Sequence, residues 1–131
     1  MADLYALLDD HSTTIAVVGA TDTDGKYGGR IYRDLKGKGY RVFAVNPSRE
    51  TVDGDPAYPS LSALPEAPGI VDIVVPPPVT LRTLEDARSL GYTRVWVQPG
   101  AEDDRVLAYL EGHDFDYLAG GPCILVESRR R

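Results

Sequence analysis

The chain has 131 residues, of which 43% are hydrophobic and 26% charged, and its net charge is −6. That is the size and composition of one compact domain with a real core, and it excludes a disordered or low-complexity chain. The acidic balance excludes nucleic acid as the expected partner, since affinity for DNA or RNA comes largely from neutralising phosphates. Three of the 14 basic residues are the terminal Arg129, Arg130 and Arg131, so the rest of the chain is more acidic still.

No apolar run approaches the ~20 residues that span a bilayer. Asp3, Asp9 and Asp10 stand where a secretory leader would be basic. No membrane partner and a cytoplasmic location are therefore expected. A lone cysteine, Cys123, excludes an internal disulfide and a cysteine-based metal site.

In chain order, Leu4, Leu7 and Leu8 fall at helical spacing and predict a short helix. Thr14–Val18 is apolar on both faces and ends at Gly19, the pattern of a buried parallel strand. Lys26–Lys38 reads as a helix with Ile31, Tyr32 and Leu35 inward, stopped by Gly37 and Gly39. Tyr40–Val45 is a second strand. Residues 46–69 carry Pro47, Pro56, Pro59, Pro65 and Pro68 and read as an ordered, irregular loop with one helical turn near Leu61.

Ile70–Val75 is a third strand, and Val79–Leu90 a helix with Leu81, Leu84, Ala87 and Leu90 inward, closed by Gly91. Thr93–Val97 is a fourth strand. Ala101–Glu111 is a helix whose acidic first turn suits the positive end of its dipole. Phe115–Leu118 is a fifth strand, and Ile124–Val126 a short final strand or extended tail. The alternation predicts one α/β domain over residues 1–131: a Rossmann-like, doubly wound, mostly parallel five-stranded sheet with helices on both faces.

In such a sheet, ligands sit outside the carboxyl ends of the strands, where strand order reverses. The segments there are Gly19–Gly29, Asn46–Arg49, Val75–Thr80 and Gln98–Gly100, all rich in glycine, proline or small polar residues. Gly19 permits a tight exit from the first strand, and Thr21 offers a hydroxyl. Gly28 and Gly29 lie at a helix start, where unpaired N–H groups can face a phosphate, and Lys26 and Arg30 add positive charge. The dinucleotide fingerprint Gly-x-Gly-x-x-Gly is absent, and so is the Walker triplet. The second strand ends in Asn46 rather than the acid that holds a ribose diol. Ser48 and Arg49 suit a phosphorylated ribose better, which also keeps an NADP-type site open.

Over about residues 1–128 these features resemble the coenzyme A-binding domain family, the single-domain relatives of the amino-terminal domain of the succinyl-CoA synthetase α subunit. The resemblance is carried by Gly39–Pro47, then Glu50, Val52, Gly54 and Tyr58-Pro59-Ser60-Leu61, with Val71–Val74, Val95–Gln98 and Cys123–Glu127 following in order. It implies coenzyme A or an acyl-CoA as the ligand. Gly19, Ala20 and Thr21 would approach the pyrophosphate, with Lys26, Gly28 and Gly29 closing that loop. Asn46, Pro47, Ser48 and Arg49 would flank the adenosine 3′-phosphate. Val75, Pro76 and Pro77 would wall the adenine or pantetheine, and Gln98 and Gly100 would lie near the pantetheine path. Many relatives carry a Lys or Arg in the turn after the third strand, where this chain has Val75–Val79.

No nucleophile–base pair stands out. His11 and His113 read as surface histidines, Cys123 as a core thiol, and Glu102, Asp103 and Asp104 as a helix start rather than a metal cluster. The expected function is that of a coenzyme A-binding protein without catalytic residues or metal of its own, a sensor or protein partner in acyl-CoA metabolism. The alternative is an NADP- or other nucleotide-binding oxidoreductase or regulatory domain.

Overall fold

The apolar runs form the centre of a parallel sheet in the computed structural model, which describes residues 3–129. In chain order the elements are α1 (Leu4–Asp9), β1 (Thr14–Val18), α2 (Tyr27–Gly37), β2 (Arg41–Val45), β3 (Thr51–Val52) and β4 (Asp55–Tyr58). A 3₁₀ turn (Leu61–Ala63) leads to β5 (Ile70–Ile73), α3 (Pro77–Leu90), β6 (Arg94–Val97), α4 (Asp104–Gly112), β7 (Asp116–Leu118) and α5 (Ile124–Glu127). The sheet has seven strands in the order β3-β4-β2-β1-β5-β6-β7. All pairings are parallel except that of β3 with β4.

Because strand side chains alternate between faces, the sheet has two cores. Ile15, Val17, Ile70 and Trp96 pack with Leu4 and Leu8 of α1, Ile31, Tyr32 and Leu35 of α2, and Ile124 and Leu125 of α5. Ala16, Val18, Val71, Ile73, Val95 and Val97 pack with Leu84 and Ala87 of α3, Val106 and Leu110 of α4, and Leu61 of the 3₁₀ turn. Each large aliphatic or aromatic side chain so buried contributes about 1.5–3 kcal/mol. Helices on both faces and an open, mostly parallel sheet make the fold Rossmann-like, as the alternation predicts.

The strand count differs from the five expected. The two extra strands lie in the proline-rich stretch, where Asp53 (φ 51°) and Gly54 (φ 79°) both adopt the left-handed conformation of a tight hairpin turn. Pro56 is tolerated because β3 and β4 form the short outer edge of the sheet. The hairpin is fastened to α2: Lys36 lies 3.1 Å from Asp53 and 2.9 Å from Asp55, and Tyr32 donates to Asp55 at 2.8 Å.

The last apolar run is also corrected. Ile124–Val126 is part of a helix, not a strand, and its first buried N–H, that of Ile124, is taken by Gln98 Oε1 at 3.3 Å. Other bounds shift for local reasons. The fourth helix starts at Asp104 because Asp103 caps it, accepting from Val106 N–H at 2.9 Å. The third starts at Pro77, as proline suits a first helical position. Its inward face uses Thr80 and Thr83 beside Leu84 and Ala87, while Leu90 is exposed.

Candidate functional site

β1 is flanked by β2 on one side and β5 on the other, so the chain leaves it first one way and then the other. The carboxyl ends of these three strands, and the loops after them, form the rim of the switch point. At this rim the backbone of β1 exits through Gly19 at φ +107°. A Cβ there would stand 2.7 Å from the Val74 carbonyl oxygen and 2.9 Å from Val75 Cγ1. A side chain at Gly28 would overlap the Gly19 carbonyl, and one at Gly29 the Thr21 carbonyl. These glycines therefore let α2 begin directly against the loop that precedes it. No side chain caps that helix start, so its first-turn N–H groups keep their capacity for an external acceptor.

Two residues of the next segment hold the first loop in place. Asn46 donates from Nδ2 to the Ala20 carbonyl at 2.9 Å and accepts from Ser48 N–H at 2.8 Å. Arg49 donates from Nε to Thr21 Oγ1 and from Nη2 to Thr23 Oγ1, both at 2.9 Å. Its Nη1 lies 3.9 Å from Asp22, and Asp22 in turn accepts from Asp53 N–H at 2.8 Å. The Arg49 guanidinium thus faces the loop between β1 and α2. Lys26, the residue preceding α2, is exposed.

The rim encloses a cleft of about 380 Å³ on the α3 side of the sheet. Its floor is apolar, from Val18, Val45, Leu61 and Val75, and its walls bring in Gly19, Asn46, Pro47 and Ser48. The opposite wall is α3, with Val79, Arg82, Thr83 and Asp86, and the 3₁₀ turn adds Pro59 and Ser60. A second hollow of about 300 Å³ is lined by Val74, Val75, Pro76, Pro77, Pro99, Gly100 and Ala101. Val75, in the β5–α3 turn, lines both.

Sequence reasoning singled out Gly19, Asn46, Pro47, Ser48 and Val75, and the structure brings them into the first cleft. Pro76, Pro77 and Gly100 share the second. Ala20 is buried beneath the loop, where its carbonyl receives Asn46. Gln98 differs from expectation: it is fully buried, donating from Nε2 to Asp72 Oδ1 and accepting from Ile124 N–H. The parity of β6 sends it to the Trp96 face, away from both hollows. Burial pushes the Asp72 carboxyl up to about 7, against the lowering effect of the Gln98 donor.

The wall from α3 was missed. Val79, Arg82, Thr83 and Asp86 form an i, i+3, i+4, i+7 stripe, and that spacing was the available signal.

The remaining chemistry-bearing residues have local partners. His11 packs on Tyr40 with ring centroids 4.4 Å apart, and the His113 Nδ1 lies 2.8 Å from the Tyr109 carbonyl. Cys123 Sγ lies 3.3 Å from the Tyr27 hydroxyl at the start of α2, which raises the Tyr27 phenol above its ordinary range. Among the described residues no group of three or more His, Cys, Asp or Glu is placed to hold a metal ion, and no helix is long and apolar enough to cross a membrane.

Comparison with known proteins bears on what this rim is for. The chain is 36% identical over 72 residues to an ADP-forming acetate–CoA ligase of Archaeoglobus fulgidus, covering 55% of this chain and 10% of the ligase. This chain therefore spans a small part of the curated relatives it matches. Among solved structures, a conserved hypothetical protein of Pyrococcus furiosus superposes with a TM-score of 0.80 at 38% identity, over 88% of this chain and 98% of that one. A Thermus thermophilus protein superposes with a TM-score of 0.84 at 31% identity, over 97% and 95%. The family described as CoA binding domain matches residues 13–129, and the chain belongs to that family.

Proposed function

We propose that this protein binds coenzyme A, free or acylated, along the carboxyl rim of its sheet. The observation that carries the reading is the convergence at one cleft of three rim segments. One of them turns at Gly19 tightly against the β5–α3 turn and is docked on α2 through Gly28 and Gly29, in a chain of the CoA binding domain family. The residues present fit the ligand's parts. Gly28 and Gly29 offer first-turn N–H groups and Lys26 a cation to a pyrophosphate, while Gly19, Ala20 and Thr21 shape the turn that approaches it, the Gly19 and Ala20 N–H groups being bonded to β2 and β1 and the Thr21 hydroxyl to Thr23 and Arg49. Asn46, Pro47, Ser48 and Arg49 flank the adenosine end above an apolar floor suited to a base. Val75, Pro76, Pro77 and Gly100 provide the apolar groove for pantetheine. Gln98 supports this rim from below rather than touching ligand.

The relatives named as acetate–CoA ligases suggest the setting. We read this chain as a binding module without catalysis of its own, acting as a sensor or protein partner in acyl-CoA metabolism. Titration of the purified protein with coenzyme A, acetyl-CoA, NADPH and ATP, followed by calorimetry and thermal melting, tests the ligand. Coenzyme A at about a hundredfold excess over its Kd should add about 2.7 kcal/mol and raise Tm by about 10 °C. Saturable binding of NADPH with none of coenzyme A would replace this reading with the oxidoreductase-type alternative.

A further inference from the structure

The first cleft contains one cation among its lining residues, and it is Arg82 of α3. Building on the coenzyme A reading, we propose that Arg82 is the residue that reads the ligand's terminal phosphate monoester, distinguishing a 3′-phosphorylated adenosine from a plain one.

Four observations carry this. Arg82 is exposed at the cleft wall, and no described acid lies within ion-pairing distance of it. Even Asp86, one turn further on the same stripe, lines the cleft without pairing to it. Arg49, by contrast, spends Nε and Nη2 on Thr21 and Thr23 and faces Asp22. Ser48 and Ser60 line the cleft with Arg82, the Ser60 hydroxyl 2.9 Å from that of Ser62, so hydroxyl-bearing residues from two other segments border the same space.

The chemistry follows from these positions. A phosphate monoester presents three oxygens and close to two negative charges, and the planar guanidinium fork pairs with two of the oxygens at once. The apolar floor below takes the base, so a phosphate on the attached ribose lies at the cleft's polar mouth. Asp86 opposes an anion there and sets a ceiling on affinity in an already acidic protein.

Calorimetric titration of coenzyme A and dephospho-coenzyme A into the full chain and its Arg82→Gln, Arg49→Gln and Asp86→Asn variants tests the proposal. The unsubstituted protein should prefer coenzyme A. Arg82→Gln should weaken coenzyme A roughly ten- to a hundredfold and leave dephospho-coenzyme A unchanged, erasing the preference. Asp86→Asn should tighten coenzyme A by a few-fold at low salt. Arg49→Gln should weaken both ligands alike, because it loosens the loop that holds their shared pyrophosphate. A preference that survives Arg82→Gln, or one erased by Arg49→Gln instead, overturns the assignment while coenzyme A binding stands. Failure of the unsubstituted protein to bind either ligand overturns the coenzyme A reading and this assignment with it. Arg82 and Asp86 are exposed, so the variants should melt as the parent does, and circular dichroism checks this.

Discussion

Asp72→Asn tests the physical account of the sheet's interior. Asp72 sits mid-strand in β5, with Val17 beside it on β1 and Trp96 on β6. It is fully buried; Gln98 donates to Oδ1, and Oδ2 has no hydrogen-bond partner. One neutral donor does not repay the desolvation of a carboxylate, so the folded protein holds the proton up to about pH 7, against about 3.8 in the ordinary case. The folded pKa lies above the unfolded one. The associated stability is therefore fully present below about pH 4, and falls as pH rises towards 7. At about 1.4 kcal/mol per pH unit the whole loss is about 4 kcal/mol.

Asparagine imitates the neutral acid in shape and does not titrate. Urea denaturation of both proteins at several pH values isolates this one group, since all other titrations cancel in the difference. Between about pH 5 and pH 8.5 the variant should gain about 3 kcal/mol on the parent. A difference that stays constant with pH would show that Asp72 ionises in the folded state as easily as in the unfolded one, and would refute the reasoning.

Two further perturbations address the rim. Gly28→Ala should cost about 2–3 kcal/mol in thermal unfolding, because its methyl group meets the Gly19 carbonyl. Gly37→Ala, in the same helix with open space around it, should gain up to about 1 kcal/mol; equal effects at the two sites would contradict the docked helix start. Arg49→Met should speed amide exchange across residues 21–26 with little change in Tm, since the side chain ties a loop and not the core.

How much of this could be read from the residues follows from periodicity. β1, β2, β5 and β6 are mostly apolar runs, interrupted only by Asp72 in β5 and led by Arg41 in β2 and Arg94 in β6, and ended by glycine, proline or a turn residue, a pattern that buried parallel strands share with little else of that length. The β3–β4 hairpin was obscured by prolines, although Asp53-Gly54 is a hairpin signal in its own right. Ile124–Val126 is too short for periodicity to separate strand from helix. The rim segments were legible because strand ends in an α/β sheet gather on one side. Gln98 was misplaced because proximity to that rim says nothing about which face a side chain takes. The α3 wall is harder to read because the apolar positions mark only the inward face of that helix, while the cleft is lined by the adjoining stripe, which shares just Thr83 with it.

The same contacts that shape the rim bear on how it would hold a ligand. Asn46 and Arg49 bind the first loop to the second through the Ala20 carbonyl and two threonine hydroxyls, and Asp22 binds it to the hairpin turn at Asp53. Lys36 fastens that turn to α2, whose own start is docked on the loop through Gly28. The chain of contacts is closed, so displacing any member disturbs the next. A loop held this way has already lost much of the conformational freedom that association would otherwise cost. Positive charge at the rim is divided accordingly: Arg49 is committed to the scaffold, and Arg82, on a rigid helix across the cleft, keeps its donors for an anion. In a protein with a net charge of −6, recognition of an anionic ligand has to come from such local placement, because the long-range field opposes it.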